Sequence, residues 1–186
     1  MVDFNRLRKM MVDALAKDKT AHDPHHVLRV LGFAEEIAKN EPEADMEILR
    51  AAALLHDIAY KEGFFRGEHG DVSAKIAEPM LRAVDFPLSK IPRVLQAIEL
   101  HNWFFHFEKN VPVEVKILRD ADRLDALGKH AIERATLFYG KDGLAKGIQR
   151  NIDATEDKFE TNRGARIGTE LIKELRIALK SIADSD

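Results

Sequence analysis

The stretch "AALLHDIAY", residues 52–60, places a histidine and an aspartate side by side at the end of an apolar run. The surrounding segment, about residues 46–59, is apolar almost all round, which predicts a helix in the middle of a bundle. His56 and Asp57 are costly to bury unless something compensates them. The stretch therefore indicates either a helix that reaches the surface or a pair of metal ligands.

The rest of the chain predicts an all-α fold, because apolar residues recur three and four apart and no segment alternates strictly. With 186 residues, 45% of them hydrophobic, the chain is long enough for one domain with a sizeable core. We expect a single-domain helical bundle over residues 1–186, with a motif-bearing core at about 21–130 and C-terminal helices at about 131–183. The predicted helices are at about 4–17, 24–40, 46–59 and 71–84, one ending near 101, one ending near 128, and a last one at 163–182. A loop or short helix is predicted over 141–159.

Composition excludes several classes of site and partner. The chain has no cysteine, so any metal must be held by His, Asp, Glu or water. Its net charge is −3 with both signs scattered, which gives no basic surface for long nucleic acid. No stretch approaches the roughly 20 apolar residues of a membrane span, and no secretion leader is apparent. We expect a cytoplasmic protein without membrane contact, and a homodimer is left open.

Acidic residues and histidines interrupt the apolar pattern at several points. Neighbouring residues on a helix point about 100° apart, so His56 and Asp57 can share an ion only if other helices complete its ligands. A histidine from the second helix and an aspartate from "DADRLD" (residues 120–125) would do so. Such a set suits Mn, Fe, Co, Ni, Zn or Mg. Alternatively, the "DADRLD" acids form a charged helix face with Arg119 and Arg123.

Four ordered motifs resemble those of the HD-domain metal-dependent phosphohydrolases, whose pattern is H…HD…D on a helical bundle. They are "HDPHHVLRV" (22–30), "LLHDIA" (54–59), "AIELHN" (97–102) and "ILRDADRLDALG" (117–128). The tail "DKFETNRGARIGTELIKEL" (157–175) is similar to that of small stand-alone HD hydrolases. The resemblance implies a divalent ion, with a second left open, and a small phosphorylated substrate such as a nucleotide.

The resemblance also assigns site residues. It implies four metal ligands: His26, His56, Asp57 and Asp122. His22 and His25 are alternatives to His26, and His22 otherwise lines the pocket. Asp120 and Asp125 are expected beside the ligands, and Asp120 is the alternative to Asp122. His69 and His101 match places where relatives hold a second ion or contact phosphate; alternatively, His69 caps a helix start and His101 a helix end.

Further residues are candidates for substrate contact or proton transfer. Lys61 and Arg66 are either phosphate cations or solvated charges, and Arg29 either orients a carboxylate or touches the substrate. Some relatives carry an acid at the position of Tyr60, so the general base is left open among Glu62, Glu68, Asp71 or none of them. An aromatic wall for a base could come from Phe64, Phe65, Trp103, Phe104, Phe105 and Phe107.

The expected activity is hydrolysis of a phosphoester by metal-activated water. Two other functions are left open. The domain could be a non-catalytic nucleotide-binding or regulatory module, for which the missing acid at Tyr60 is mild support. It could also be a di-iron oxygenase on the same fold, which needs a fuller histidine set.

Overall fold

A computed structural model describes residues 2–16, 22–62, 69–102 and 110–183 of the chain. These residues form eight α-helices and one 3₁₀ helix, and they contain no β-strand, so the predicted all-α fold is confirmed. In chain order the helices are α1 (Phe4–Leu15), α2 (Pro24–Ala38), α3 (Met46–Leu55), the 3₁₀ helix (Ile58–Glu62), α4 (His69–Ala83), α5 (Ile91–Leu100), α6 (Val113–Asp125), α7 (Lys129–Thr155) and α8 (Asn162–Ala183). No helix among these ranges has the length and apolarity needed to cross a bilayer.

Helix α2 begins where its sequence predicts. Asp23 lies just before the helix, and its carboxylate accepts a hydrogen bond from the backbone N–H of His26 at 2.9 Å. Pro24 occupies the first helical position, where its missing N–H costs nothing. This cap fixes the register of α2 and therefore the direction in which the His26 side chain leaves the helix.

Helix α3 is the central element of the bundle. It packs against α1, α2, α5 and α6, and residues 51–55 are all buried. Small alanines at 51–53 let neighbouring helices approach closely, while Leu54 and Leu55 fill the space between them. The apolar character of α3 therefore places the His-Asp pair that follows it inside the protein.

The chain leaves the α-helix earlier than predicted, at Leu55 rather than at Ala59. A turn and the 3₁₀ helix follow, in which the N–H of Tyr60 donates to the carbonyl of Asp57 at 3.1 Å. The N–H of Ala59 donates to Ser73 Oγ on α4 at 3.1 Å. This tertiary hydrogen bond ties the turn to a neighbouring helix.

Helices α7 and α8 enclose a second, smaller apolar cluster, which includes Ile148, Ile152, Ile172 and Leu175. The segment predicted as a loop or short helix is helical through Thr155, with a break at Gly140. The backbone φ of Gly140 is +66°, a conformation that glycine adopts without steric cost.

Candidate metal centre

The carboxylate of Asp57 lies at the centre of a buried cluster of imidazoles. Its side chain is 3% exposed. Ring nitrogens reach it from the start of α2, the end of α3, the start of α4 and the end of α5. Around Oδ2 lie His22 Nδ1 at 2.6 Å, His26 Nε2 at 3.2 Å and His56 Nε2 at 3.4 Å, and around Oδ1 lie His69 Nε2 at 3.4 Å and His101 Nε2 at 3.6 Å.

Helix α6 adds a second carboxylate to this cluster. Asp122 Oδ1 lies 3.5 Å from His26 Nε2, and the Asp122 side chain is 38% exposed. Three overlapping sets of ligand atoms each lie within 4.8 Å of one another: His26, His56 and Asp122; His56, Asp57 and His101; and His22, His26 and Asp57. The structure thus brings the four predicted ligands together. Asp122 lies at the side of the cluster that is exposed to solvent.

The orientation of two imidazoles fits a metal ion. His56 donates from Nδ1 to the carbonyl of Ala53 at 2.9 Å, and His26 bonds through Nδ1 to Asp125 Oδ2 at 2.7 Å. Both Nε2 atoms are buried, and within the described part of the chain neither of them makes a hydrogen bond. Buried polar atoms are normally paired, and a histidine that binds metal through one nitrogen usually donates the other to a carboxylate or carbonyl. The donor set therefore fits a divalent ion held by imidazole and carboxylate.

Burial and charge set the protonation of these groups in opposite ways. Burial lowers the pKa of His56 to about 4, which keeps this ring neutral. Burial also acts to lower the pKa of His26, but the hydrogen bond to Asp125 and the nearby carboxylates of Asp57 and Asp122 outweigh it and raise that pKa to about 9. Burial opposes ionisation of Asp57, yet the surrounding imidazoles hold its pKa well below the ordinary value. Asp57 is therefore an anion ready to bind a cation.

His69 and His101 face each other across 3.1 Å between their Nε2 atoms. His101 also donates from Nδ1 to the carbonyl of Ile98 at 2.5 Å. Burial lowers the pKa of His69. Burial opposes protonation of His101 too, but hydrogen bonding to Asp57 and the Asp57 charge raise its pKa. The Nε2 atom of His101 thus lies within hydrogen-bond distance of His69 Nε2 and 3.6 Å from Asp57 Oδ1.

Behind His26 lies a further layer formed by Asp125 and Arg29. Arg29 Nε donates to Asp125 Oδ1 at 2.5 Å, and Arg29 Nη2 donates to Asp125 Oδ2 at 3.1 Å. Asp125 is 1% exposed. Burial opposes its ionisation, but hydrogen bonds from His26 and Arg29 hold its pKa below the ordinary value. Of the two roles predicted for Arg29, the structure shows the orientation of a carboxylate.

A protein-family model for the HD domain matches residues 25–127, which is more than half of the chain. The chain belongs to the HD domain family. This match spans all four predicted metal ligands, and it agrees with the helical fold and the His/Asp cluster.

Similar proteins include a curated relative and two solved structures. The Bacillus subtilis protein YpgQ is 29% identical over 143 residues, which cover 74% of this chain and 67% of YpgQ. A predicted HD superfamily hydrolase from an uncultured Thermotogales bacterium aligns with a TM-score of 0.73 at 26% identity, covering 98% of this chain and 92% of its own. The crystal structure of YpgQ in complex with ADP aligns with a TM-score of 0.78 at 22% identity, covering 98% of this chain and 94% of the YpgQ chain. At that identity the structural match shows the fold alone. Together with the cluster, these findings support a metal-dependent hydrolase.

Within this HD domain Asp120 lies away from the ligands. Its carboxylate accepts hydrogen bonds from the backbone N–H groups of Glu160 and Thr161, from the Thr161 hydroxyl and from Arg123. Residues two apart on a helix point about 200° apart, so Asp120 and Asp122 occupy opposite sides of α6. The expectation that Asp120 sits beside the metal is thus corrected: the residue ties α6 to the start of α8.

Several candidates fall outside what the structure describes. These are the side chains of Lys61 and Glu62, and residues 63–68 and 103–109, which include Arg66, Glu68 and the predicted aromatic wall. Two others are described. Asp71 is exposed in the first turn of α4, and His25 is exposed on α2, so His26 rather than His25 faces the cluster.

Sequence reasoning missed one contact of the cluster. Tyr60, noted only as the position of a missing acid, stacks on His22 with ring centroids 3.9 Å apart and planes 5° apart. The two residues are 38 positions apart in the sequence, and no periodic pattern relates them. Only the folded chain shows that the rings meet.

Proposed function

We propose that this HD domain is a metal-dependent phosphohydrolase that acts on a nucleotide or another small phosphoester. The observation that carries the proposal is the convergence of buried imidazole nitrogens on Asp57, with the opposite nitrogens of His26 and His56 already engaged in hydrogen bonds. Such orientation is costly for folding alone, because it leaves two buried nitrogens without a hydrogen bond to any residue that the structure describes. It is what an imidazole–carboxylate metal site requires.

Four side chains would hold the ion: His26, His56, Asp57 and Asp122. When bound, the ion polarises a phosphoryl oxygen and lowers the pKa of a coordinated water. The protein supplies fixed ligands from α2, the end of α3 and α6, and the partly exposed Asp122 marks the side from which a substrate enters. Among the neighbouring histidines, His22 and His69 are 27% and 12% exposed, so both can reach an oxygen of a bound phosphate group.

The substrate class is supported by a relative rather than by the site itself. YpgQ has been crystallised with ADP, and it is the relative that matches this chain at 29% identity. We extend that ligand class to this protein. Lys61 and Arg66, on the segment that follows the His-Asp pair, are proposed to contact phosphate. A nucleotide phosphate would bring two or more negative charges to a cluster that already holds Asp57 and Asp122, so a cation is needed between them.

One observation favours room for a second ion. Asp57 presents Oδ2 to His26 and His56, and Oδ1 to His69 and His101, so a second ion would be held by His69 and His101. The same histidine set keeps the di-iron oxygenase as the second candidate function. Iron content and oxygen consumption of the purified protein distinguish it from a hydrolase.

The test uses protein stripped with chelator and reloaded separately with Mn²⁺, Fe²⁺, Co²⁺, Ni²⁺, Zn²⁺ or Mg²⁺. Each form is assayed against nucleoside mono-, di- and triphosphates, cyclic dinucleotides and simple phosphoesters, with release of phosphate or pyrophosphate as the readout. We expect the double variant His56→Ala, Asp57→Ala to lose both bound metal and turnover. Wild-type protein that retains no divalent ion, or a double variant that is as active as wild type, would refute the proposal.

A matched pair of single variants tests the ligand assignment. His26→Ala removes a buried imidazole that faces the cluster, whereas His25→Ala removes the exposed imidazole of the preceding residue. We expect only His26→Ala to weaken metal binding. Equal losses in the two variants would show that the effect comes from the start of α2 in general and not from a ligand.

A further inference from the structure

We infer that Tyr60 is a positioning residue whose ring holds the His22 imidazole in place to hydrogen-bond Asp57. The inference rests on the proposed function, because Asp57 is assigned there as a metal ligand. It assigns a role to Tyr60, which is not one of the four ligands: through His22 it keeps the Asp57 carboxylate oriented.

The contact geometry carries the argument. The rings of His22 and Tyr60 are nearly parallel, at 5°, with centroids 3.9 Å apart. In that orientation His22 Nδ1 lies 2.6 Å from Asp57 Oδ2, the shortest of the distances from the imidazoles to this carboxylate. Rotation of the His22 ring about its side-chain bonds would break the stack and the hydrogen bond together. The stack therefore restricts His22 to the orientation in which it serves Asp57.

Tyr60 can hold His22 in this orientation because it lies in the same turn as Asp57, which accepts the hydrogen bond from His22. Asp57 and Tyr60 are joined by a backbone hydrogen bond of 3.1 Å, and Ile58 and Ala59 between them are fully buried. Ser73 fixes the same turn from α4. One turn thus carries both the Asp57 carboxylate and the Tyr60 ring, and the 27% exposed His22 side chain fits between them.

A second contact shows that the ring belongs to the site as well as to the core. Tyr60 is only partly buried, and its ring also approaches that of His69, with centroids 5.3 Å apart at 48°. His22 faces Asp57 Oδ2 and His69 faces Asp57 Oδ1. The Tyr60 ring therefore lies beside two imidazoles that approach opposite oxygens of the same carboxylate.

The first test is made on metal-free protein by NMR. Stacking on Tyr60 shifts the ring protons of His22 upfield through the ring current, and bonding to Asp57 places a proton on His22 Nδ1. We expect both features in wild type and in Tyr60→Phe, which keeps an aromatic ring, and expect the upfield shift to vanish in Tyr60→Leu. Unshifted His22 ring protons in wild type overturn the inference, whether or not Tyr60→Leu folds.

The second test is a double-mutant cycle on metal affinity, measured with Mn²⁺ and Zn²⁺ without substrate. We expect Tyr60→Leu to weaken binding about 3–10-fold, less than the 10–100-fold that is typical when a direct partner of a ligand is lost. In a His22→Ala background Tyr60→Leu should add nothing, because the residue acts through His22. Tyr60→Phe should bind within about twofold of wild type, since it retains the stack. Tyr139→Leu, at the other tyrosine of the chain, is the matched control.

The outcomes separate this inference from the proposed function. Additive losses in the cycle, or a Tyr60→Phe variant as weak as Tyr60→Leu, would make Tyr60 a structural residue while the hydrolase proposal stands. A wild-type protein that binds no divalent ion ends the proposed function. In that case the His22 spectra still decide whether Tyr60 positions His22.

Discussion

Metal binding to this HD domain should expel a proton from His26, and its affinity should therefore rise with pH. The perturbation is a change of pH from 7 to 9 during titration of metal-free protein with a divalent ion. His26 is 1% exposed, and its carboxylate neighbours raise its pKa to about 9 despite burial. An ion that binds Nε2 must displace the proton that those carboxylates favour.

The size of the effect follows from that pKa. A pH of 7 is about two units below the pKa of His26, so roughly one molecule in a hundred has a neutral His26 ring. Displacing the proton then costs about 2.7 kcal/mol of metal-binding free energy, at 1.36 kcal/mol per unit. Apparent affinity should rise about tenfold per pH unit between pH 7 and pH 9 and level off above that range.

Isothermal titration calorimetry in two buffers with different ionisation enthalpies measures the proton release directly. We expect about one proton per ion from His26 at pH 7, and a further proton only if His101 also binds the ion. Asp125→Asn removes the strongest contact that raises the pKa of His26, so its affinity should level off at a lower pH. Asp13→Asn removes the same charge at the exposed end of α1 and should behave as wild type. An affinity that is flat from pH 7 to pH 9, with no proton release, would refute the reasoning.

Three further predictions concern stability. In metal-free protein the raised pKa of His26 contributes up to about 3 kcal/mol to the free energy of unfolding below pH 6.5, and this contribution is lost as pH rises through 9. The lowered pKa of His56 contributes a similar amount above pH 6.5, which is lost as pH falls toward 4. Urea denaturation should therefore show a maximum between those limits, and a monotonic profile would contradict it. Asp120→Ala should cost about 2–4 kcal/mol, because it leaves two backbone donors without their acceptor and leaves Arg123 with Glu160 as its carboxylate partner, yet it should leave metal affinity unchanged. Gly168→Ala should cost about 1–3 kcal/mol in the same assay because the added methyl would overlap the Phe159 ring, and an unchanged midpoint would show that this ring relaxes freely.

Parts of the fold could be predicted from local pattern, because capping residues and apolar spacing indicate the same helix boundaries. The Asp23-Pro24 pair marks the start of α2, and the helix begins there. The end of α3 could not be predicted in the same way. Ile58 and Ala59 are as apolar and as buried as the residues of the helix, so hydrophobic spacing continues through the point where the backbone leaves it. The turn after the helix is held by a contact from another element, the hydrogen bond between Ala59 and Ser73 on α4.

The site shows the same division between local and tertiary information. Helical spacing alone relates the three aspartates of α6: residues three apart lie about 60° apart on a helix, whereas residues two apart lie about 200° apart. Asp122 and Asp125 must therefore share a face and Asp120 must point away, which is what their contacts show. The sequence could not say which face meets His26, because that depends on how α2 packs against α6. Once one distance across that packing is known, His26 Nε2 to Asp122, the roles of all three carboxylates follow: one faces the metal site, one holds the histidine, and one joins α6 to α8.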